Sequence, residues 1–168
     1  MAEGYELEVP ARGMEYLGDQ VRRRREFPRQ EVEAAIKRYF ELANQCAASG
    51  NWNPWADLFT EDAIYIEHSF GVIRGGREGI RKWVMGATKG LPTDMRMGLE
   101  WFMIDGDRCM FYCPNRWPAP DGGKPFRYAM VSIMAYAGDG QWCYEEDIAN
   151  THEQAWVHEA WSKAKAPG

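Results

Sequence analysis

In the segment from Trp52 to Trp83, WNPWADLFTEDAIYIEHSFGVIRGGREGIRKW, one short strand carries a tyrosine, a glutamate and a histidine. Tyr65 and Glu67 alternate with Ile64 and Ile66, so they share one face of that strand. An ionisable group beside an aromatic one, in an otherwise apolar strand, marks either a half-wet surface or the floor of a pocket. If Glu67 is buried, desolvation raises its pKa toward what a general base needs at neutral pH. Tyr65, and Tyr39 on the apolar stripe of an earlier helix, are then candidates to donate to a developing oxyanion or to bind a phenol. His68 follows Glu67 by one residue, which puts it on the opposite face unless a bulge turns it inward. Arg116, beside Asn115, is a candidate to hold a carboxylate or phenolate. Glu145, Glu146 and Asp147 run together, so at least one carboxylate faces each side of their strand; Asp147 is taken as the one reaching inward.

Other chemistries lack their residues. His68, His152 and His158 show no HxH or HExxH spacing, so no metal is expected. Gly71 to Gly76 lacks the Lys-Ser/Thr of a phosphate-binding loop, and no serine or cysteine sits in a nucleophile elbow. Proton transfer without a cofactor is what remains. The net charge of -5 gives no basis for a broad nucleic-acid surface. The one basic run, Arg22 to Arg25, reads as a solvated arm. No leader pattern and no membrane-length apolar run appears, and Cys46, Cys109, Cys113 and Cys143 have no CxxC spacing. Buried free thiols and a cytoplasmic location are expected.

The elements that must position these groups follow from periodicity. Residues 1–27 form an N-terminal extension, an arm or lid, with a mixed-charge helix possible after Met14. Val32, Ile36, Tyr39, Ala43 and Cys46 recur at helical spacing, predicting a helix from Pro28 to Ser49 that Gly50 stops. Asn53-Pro54 starts a short helix through Phe59. A strand over Asp62–His68 leads through glycines into a helix buried by Ile80, Trp83, Val84 and Ala87 and ended by Gly90 and Pro92. Met95, Met97, Leu99, Trp101 and Met103 then alternate along one face of a long strand. Strands over Arg108–Trp117, Phe126–Tyr136 and Gln141–Ala149 follow, separated by tight Asp/Gly turns. Thr151 and Gln154 form a capping box for a closing helix in residues 151–168. Helices followed by an antiparallel meander give an α+β fold with helices on one sheet face. At 168 residues it is one domain. Its 14% aromatic content suits a pocket walled by rings, and the apolar outer face of the meander predicts a homo-oligomer, most simply a dimer.

That order, with LFTEDAIYIEHSFGVIRGGREGIRKW, resembles the SnoaL-like branch of the nuclear transport factor 2-like superfamily over residues 28–150. The resemblance implies a cone-shaped, curved antiparallel sheet with helices on its concave side and a small apolar molecule in the open end. The family includes ketosteroid isomerases, dehydratases, epoxide hydrolases, polyketide cyclases, cofactor-free lyases of lignin-derived aromatics and non-catalytic binders. Five residues after the strand-opening Asp62, where the isomerases keep a carboxylate base, stands Glu67. Three after it, where the epoxide hydrolases keep a tyrosine, stands Tyr65. Tyr39 falls near the isomerases' oxyanion tyrosine. Their second oxyanion acid falls near Ser132, a departure that weighs against steroid isomerisation. Asp147 and Asn150 lie nearest a last-strand carboxylate of other members. Trp55, Trp101, Tyr112 and Tyr128 lie on elements that bound the family's cone. The resemblance thus implies a cofactor-independent lyase, dehydratase or isomerase acting on a small apolar, aromatic compound such as a lignin-type phenylpropanoid. A binding module of the same fold and a water-activating hydrolase are the alternatives.

Overall fold

A computed structural model describes residues 5–6, 24–89 and 94–165. The elements in chain order are β1 (Tyr5–Glu6), α1 (Arg29–Ser49), α2 (Asn53–Ala56), β2 (Phe59–Glu67), a single 3-10 turn (His68–Phe70), β3 (Val72–Gly75) and α3 (Arg77–Ala87). Then come β4 (Arg96–Met97), β5 (Trp101–Asp105), β6 (Arg108–Tyr112), β7 (Asn115–Trp117), β8 (Phe126–Tyr128), β9 (Met130–Gly138), β10 (Gln141–Ala149) and α4 (Thr151–Lys165). Among the described residues the strands make a sheet in the order β1-β3-β2-β10-β9-β6-β5 and a smaller one in the order β4-β7-β8. The expected helix after Met14 and the helix stop at Gly90 and Pro92 lie outside the described residues.

Helix α1 ends where expected. Gly50 takes a left-handed φ of 72°, and its N–H closes on the Cys46 carbonyl. Its buried stripe includes Val32, Ile36, Tyr39 and Ala43, packed with Phe111 and Trp142 of the concave sheet face in one apolar core. Each buried ring of this size removes on the order of 2–3 kcal/mol of apolar surface from water. Ile80 and Val84 of α3 are buried, Trp83 half so, whereas Ala87 is exposed at the rim.

Three expectations about the sheet are corrected. It is mixed, not purely antiparallel, because β10 pairs parallel to β2, with Asp147 opposite Glu67. The chain after Glu67 makes an additional short strand, β3, that the glycines had masked. The predicted long strands are also broken. Cys113-Pro114 separates β6 from β7 and moves the chain from the large sheet to the small one, and Ala129 separates β8 from β9 and moves it back. Proline cannot donate to a ladder, so a bend at Pro114 is where the sheet can turn up and form a wall. Gly98 to Glu100 likewise divides β4 from β5, and the alternation shifts across it. Met95 and Met97 face inward, but Trp101 and Met103 face outward.

The stretch before α1 is fastened at the Asp105–Asp107 turn. Arg24 pairs with Asp105 at 2.6 Å, and the Asp107 N–H donates to the Arg25 carbonyl at 3.0 Å. Gly106 has a φ of 63°, and a Cβ there would lie 2.7 Å from that carbonyl, so the turn requires glycine.

Trp101 and Met103 are 45% and 53% exposed, and Ile148 is 42% exposed. Register joins them, since Trp101 pairs with Tyr112, Tyr112 with Val131, and Val131 with Ile148. Trp101 and Tyr112 stack nearly parallel at 5.7 Å. We propose that a second copy covers this apolar outer face, the same patch meeting itself across a two-fold axis. Light scattering is expected to give about twice the 19.3 kDa chain mass, and Met103→Glu to return it to 19.3 kDa. A monomeric wild-type protein at all working concentrations overturns the proposal.

Candidate active site

The concave face closes round a cavity of about 150 Å³. Its floor comes from two paired strands. Tyr65 and Glu67 on β2 lie in register with Glu145 and Asp147 on β10, all four pointing inward. The inward pair on β10 depends on a register irregularity between Trp142 and Tyr144. Trp142 belongs to the concave core, Cys143 and Tyr144 both join the cluster on the other face, and Glu145 returns inward. Without that extra residue the alternation would turn Glu146 toward the cavity instead.

The three carboxyl groups differ in their partners. Asp147 is 4% exposed. Tyr65 donates to its Oδ2 at 2.8 Å, and Ser132 makes a short hydrogen bond to its Oδ1. Burial raises its pKa, while these donors and Glu145 pull it back down. Glu145 is fully buried, and Tyr39 donates to its Oε1 at 2.6 Å. Burial first, and then the charge of Asp147, raises it well above the ordinary range. Asp147 is the better supplied of the two with hydrogen-bond donors. Glu67 accepts the Ser69 N–H at 3.0 Å, and its pKa is raised to about 7, chiefly by burial and then by Asp147. Of the three it is the one poised to change charge near neutrality.

The hydroxyl hydrogens of Tyr39 and Tyr65 are committed to these acids. Tyr128 is placed differently. Its oxygen accepts from Asn115 Nδ2 at 2.9 Å and from Gln154 Nε2 at 3.2 Å, which leaves its own hydrogen to give. Trp55, Tyr65, Trp83, Trp117 and Tyr128 contribute rings to the wall. Helix α4 closes one side with Gln154 and His158. His158 packs edge-on to Trp117 at 4.9 Å, and burial lowers its pKa.

The structure thus brings together Tyr39, Trp55, Tyr65, Glu67, Tyr128 and Asp147, and it removes five other candidates from the wall. His68 lies on the outer face as alternation requires, its Nε2 2.6 Å from Glu146 Oε1. Trp101 and Tyr112 belong to the outer face described above. Arg116 is turned outward next to inward Asn115, and it pairs with Glu100 at 2.6 Å. Asn150 caps α4, its Oδ1 accepting from the N–H groups of His152 and Glu153, the role expected of Thr151 and Gln154. Sequence reasoning missed Glu145, Ser132 and His158 as parts of the site. Among the described residues no group of three or more His, Cys, Asp or Glu side chains is arranged to hold a metal, no helix is long and apolar enough to cross a membrane, and all four cysteines are free and buried.

A model of the SnoaL-like domain matches residues 36–145. The chain belongs to the SnoaL-like family, within the nuclear transport factor 2-like superfamily. No curated protein matches it. Among solved structures it is similar to an NTF2-like protein from Anabaena variabilis ATCC 29413, with TM-score 0.61 and 17% identity over 74% of this chain and 92% of that one. It is also similar to TerC co-crystallized with polyporic acid, with TM-score 0.58 and 18% identity over 77% and 98%. A third is a hypothetical protein of ketosteroid isomerase-like fold from Catenulispora acidiphila DSM 44928, in complex with trimethylamine. Its TM-score is 0.51, with 20% identity over 61% and 78%. At these identities the likenesses show the fold.

The raised pKa of Glu67 has a stability consequence. A carboxyl whose folded pKa lies above its ordinary 4.5 favours the folded state while protonated and loses that contribution as pH rises through about 7. The loss is complete above about pH 8 and on the order of 3 kcal/mol. Glu67→Gln, neutral at every pH, is expected to resist urea better than wild type at pH 8 and equally at pH 4. A variant less stable than wild type at pH 8 refutes the assignment.

Proposed function

We propose that the protein is a cofactor-independent enzyme of the lyase, dehydratase or isomerase type, using proton transfer on a small, largely apolar and aromatic compound. The observation that carries this reading is Glu67. It stands in the wall of an aromatic cavity with its pKa near 7, its neighbour Asp147 already supplied by two hydroxyl donors. An ionised Glu67 takes a proton from the substrate carbon. Tyr128, oriented by Asn115 and Gln154, donates to the oxygen on which charge develops. Tyr65, Tyr39 and Ser132 hold the acid cluster in place by hydrogen bonds to Asp147 and Glu145. The proton returns from Glu67 to a second carbon in an isomerisation. In a dehydration, Glu67 passes that proton to the leaving hydroxyl, which departs as water, so that both Glu67 and Tyr128 end as they began.

Relatives of this fold co-crystallised with polyporic acid or trimethylamine support a small-molecule site. A lignin-type phenylpropanoid suits the ring-lined cavity. The hydrolase reading is less favoured, because Tyr65 donates directly to Asp147 where that chemistry needs both groups on one water.

A panel of phenolic dimers, steroids, terpene epoxides and polyketide mimics, read by product analysis, tests the reading. For the class that turns over, Glu67→Gln is expected to lower kcat by about 10²–10⁴-fold, and Tyr128→Phe by about 10²-fold. Turnover should rise with pH through about 7 as Glu67 ionises, and dialysis against chelator should leave it unchanged. Tight binding without turnover, unaltered in Glu67→Gln, would make the protein a binding module.

A further inference from the structure

Resting on the reading of the cavity as a small-molecule site, we propose that it selects an organic cation. The ligand would be an apolar amine or quaternary ammonium compound, with its positive charge held against Glu67 and Asp147 between the rings of the wall. The charge balance of the wall is the first reason. Glu67 and Asp147 line the cavity and Glu145 stands directly behind, but among the described residues no lysine or arginine lines it. Arg116 and Arg127, on two strands of that wall, are both turned outward to Glu100. His158 is the sole basic group of the described wall, and its burial favours the neutral ring. Within the described wall the acid cluster is met by hydroxyl donors, and the basic group that acts on it, His68, lies across the sheet on the outer face. A ligand cation supplies what the wall lacks.

The rings are the second reason. Trp55 and Tyr65 have centroids 6.5 Å apart, Phe70 and Trp83 5.7 Å, and Trp117 and Tyr128 5.6 Å. All six belong to the cavity wall. A cation within about 6 Å of such a ring is attracted by its quadrupole, most strongly when desolvated. The same wall disfavours an anion, which would meet two carboxyl groups in a low-dielectric site. A neutral ligand gains the apolar contact alone, and a cation of the same shape adds to it.

Three probes of one shape test this. Choline and 3,3-dimethylbutan-1-ol differ by nitrogen cation for carbon, and 3,3-dimethylbutanoate carries the opposite charge on the same tert-butyl group. Calorimetry on wild-type protein at pH 8 is expected to give choline at least about tenfold tighter binding than the alcohol, with the anion weakest. Glu67→Gln should reduce the preference for choline over the alcohol several-fold. Equal or tighter binding of the alcohol or the anion by wild type overturns the inference, and that comparison needs no variant. A choline preference that survives intact in Glu67→Gln overturns it too. The probes report binding alone. A failure here leaves the base role of Glu67 to the turnover of Glu67→Gln on its own substrate, and a loss of that role leaves the cation preference to these titrations.

Discussion

Three carboxyl groups lie together on the concave floor of this protein, and their burial constrains everything placed around them. Water would solvate such acids at little cost, but a dry site charges each unpaired one several kcal/mol. The structure meets this by dividing labour. Asp147 receives Ser132 and Tyr65, Glu145 accepts Tyr39, and Glu67 is left with a single backbone donor at the cavity. The three acids thereby sit in three different environments within one cluster. Separated environments of this kind are how a fold obtains an acid and a base from identical chemistry.

The backbone enforces that division. The parallel pairing of β2 with β10 sets Glu67 beside Asp147 and Tyr65 beside Glu145. The irregularity at Cys143 turns those two β10 acids inward and sends Glu146 out to His68 and Tyr144. The outer trio is more than an incidental surface. Its histidine stands one residue from Glu67, and its positive field lowers the pKa of both Glu67 and Asp147, offsetting part of the burial effect. The two faces of the sheet thus share one electrostatic problem across a single thickness of backbone.

Local patterns revealed what local physics decides. The stripe of α1 and its glycine stop, the limits of β10, and the shared face of Tyr65 and Glu67 were all legible in residue spacing. Direction across a sheet was not. Alternation says that Trp101 and Met103 share a face but not which face is wet, and the break at Gly98–Glu100 reversed the parity that Met95 and Met97 had set. Arg116 illustrates the opposite case, since its neighbour Asn115 lines the cavity and strict alternation alone sends the arginine out. Glu145 was hidden by a bulge, which leaves no mark in hydrophobic periodicity because both Cys143 and Tyr144 can be buried on either face. His158 was hidden because the docking of a helix end against β7 and β8 is a long-range contact.

Helix α4 contributes no fully buried side chain, yet it completes the site. It is fastened by the Trp161 indole N–H on the Pro118 carbonyl, by His158 against Trp117, and by Gln154 on Tyr128. The last of these joins closure to chemistry. Gln154 is one of the two amides whose donation leaves the Tyr128 hydrogen available to a ligand, and it lies on the element that walls the cavity from solvent. A Tyr128 without Gln154 would retain only Asn115 as an orienting partner and would face a wetter site, where its donated hydrogen bond is worth less. The enclosure of the cavity and the orientation of its donor are therefore consequences of one docking event, and the modest contacts of α4 matter more to function than their share of the buried surface suggests.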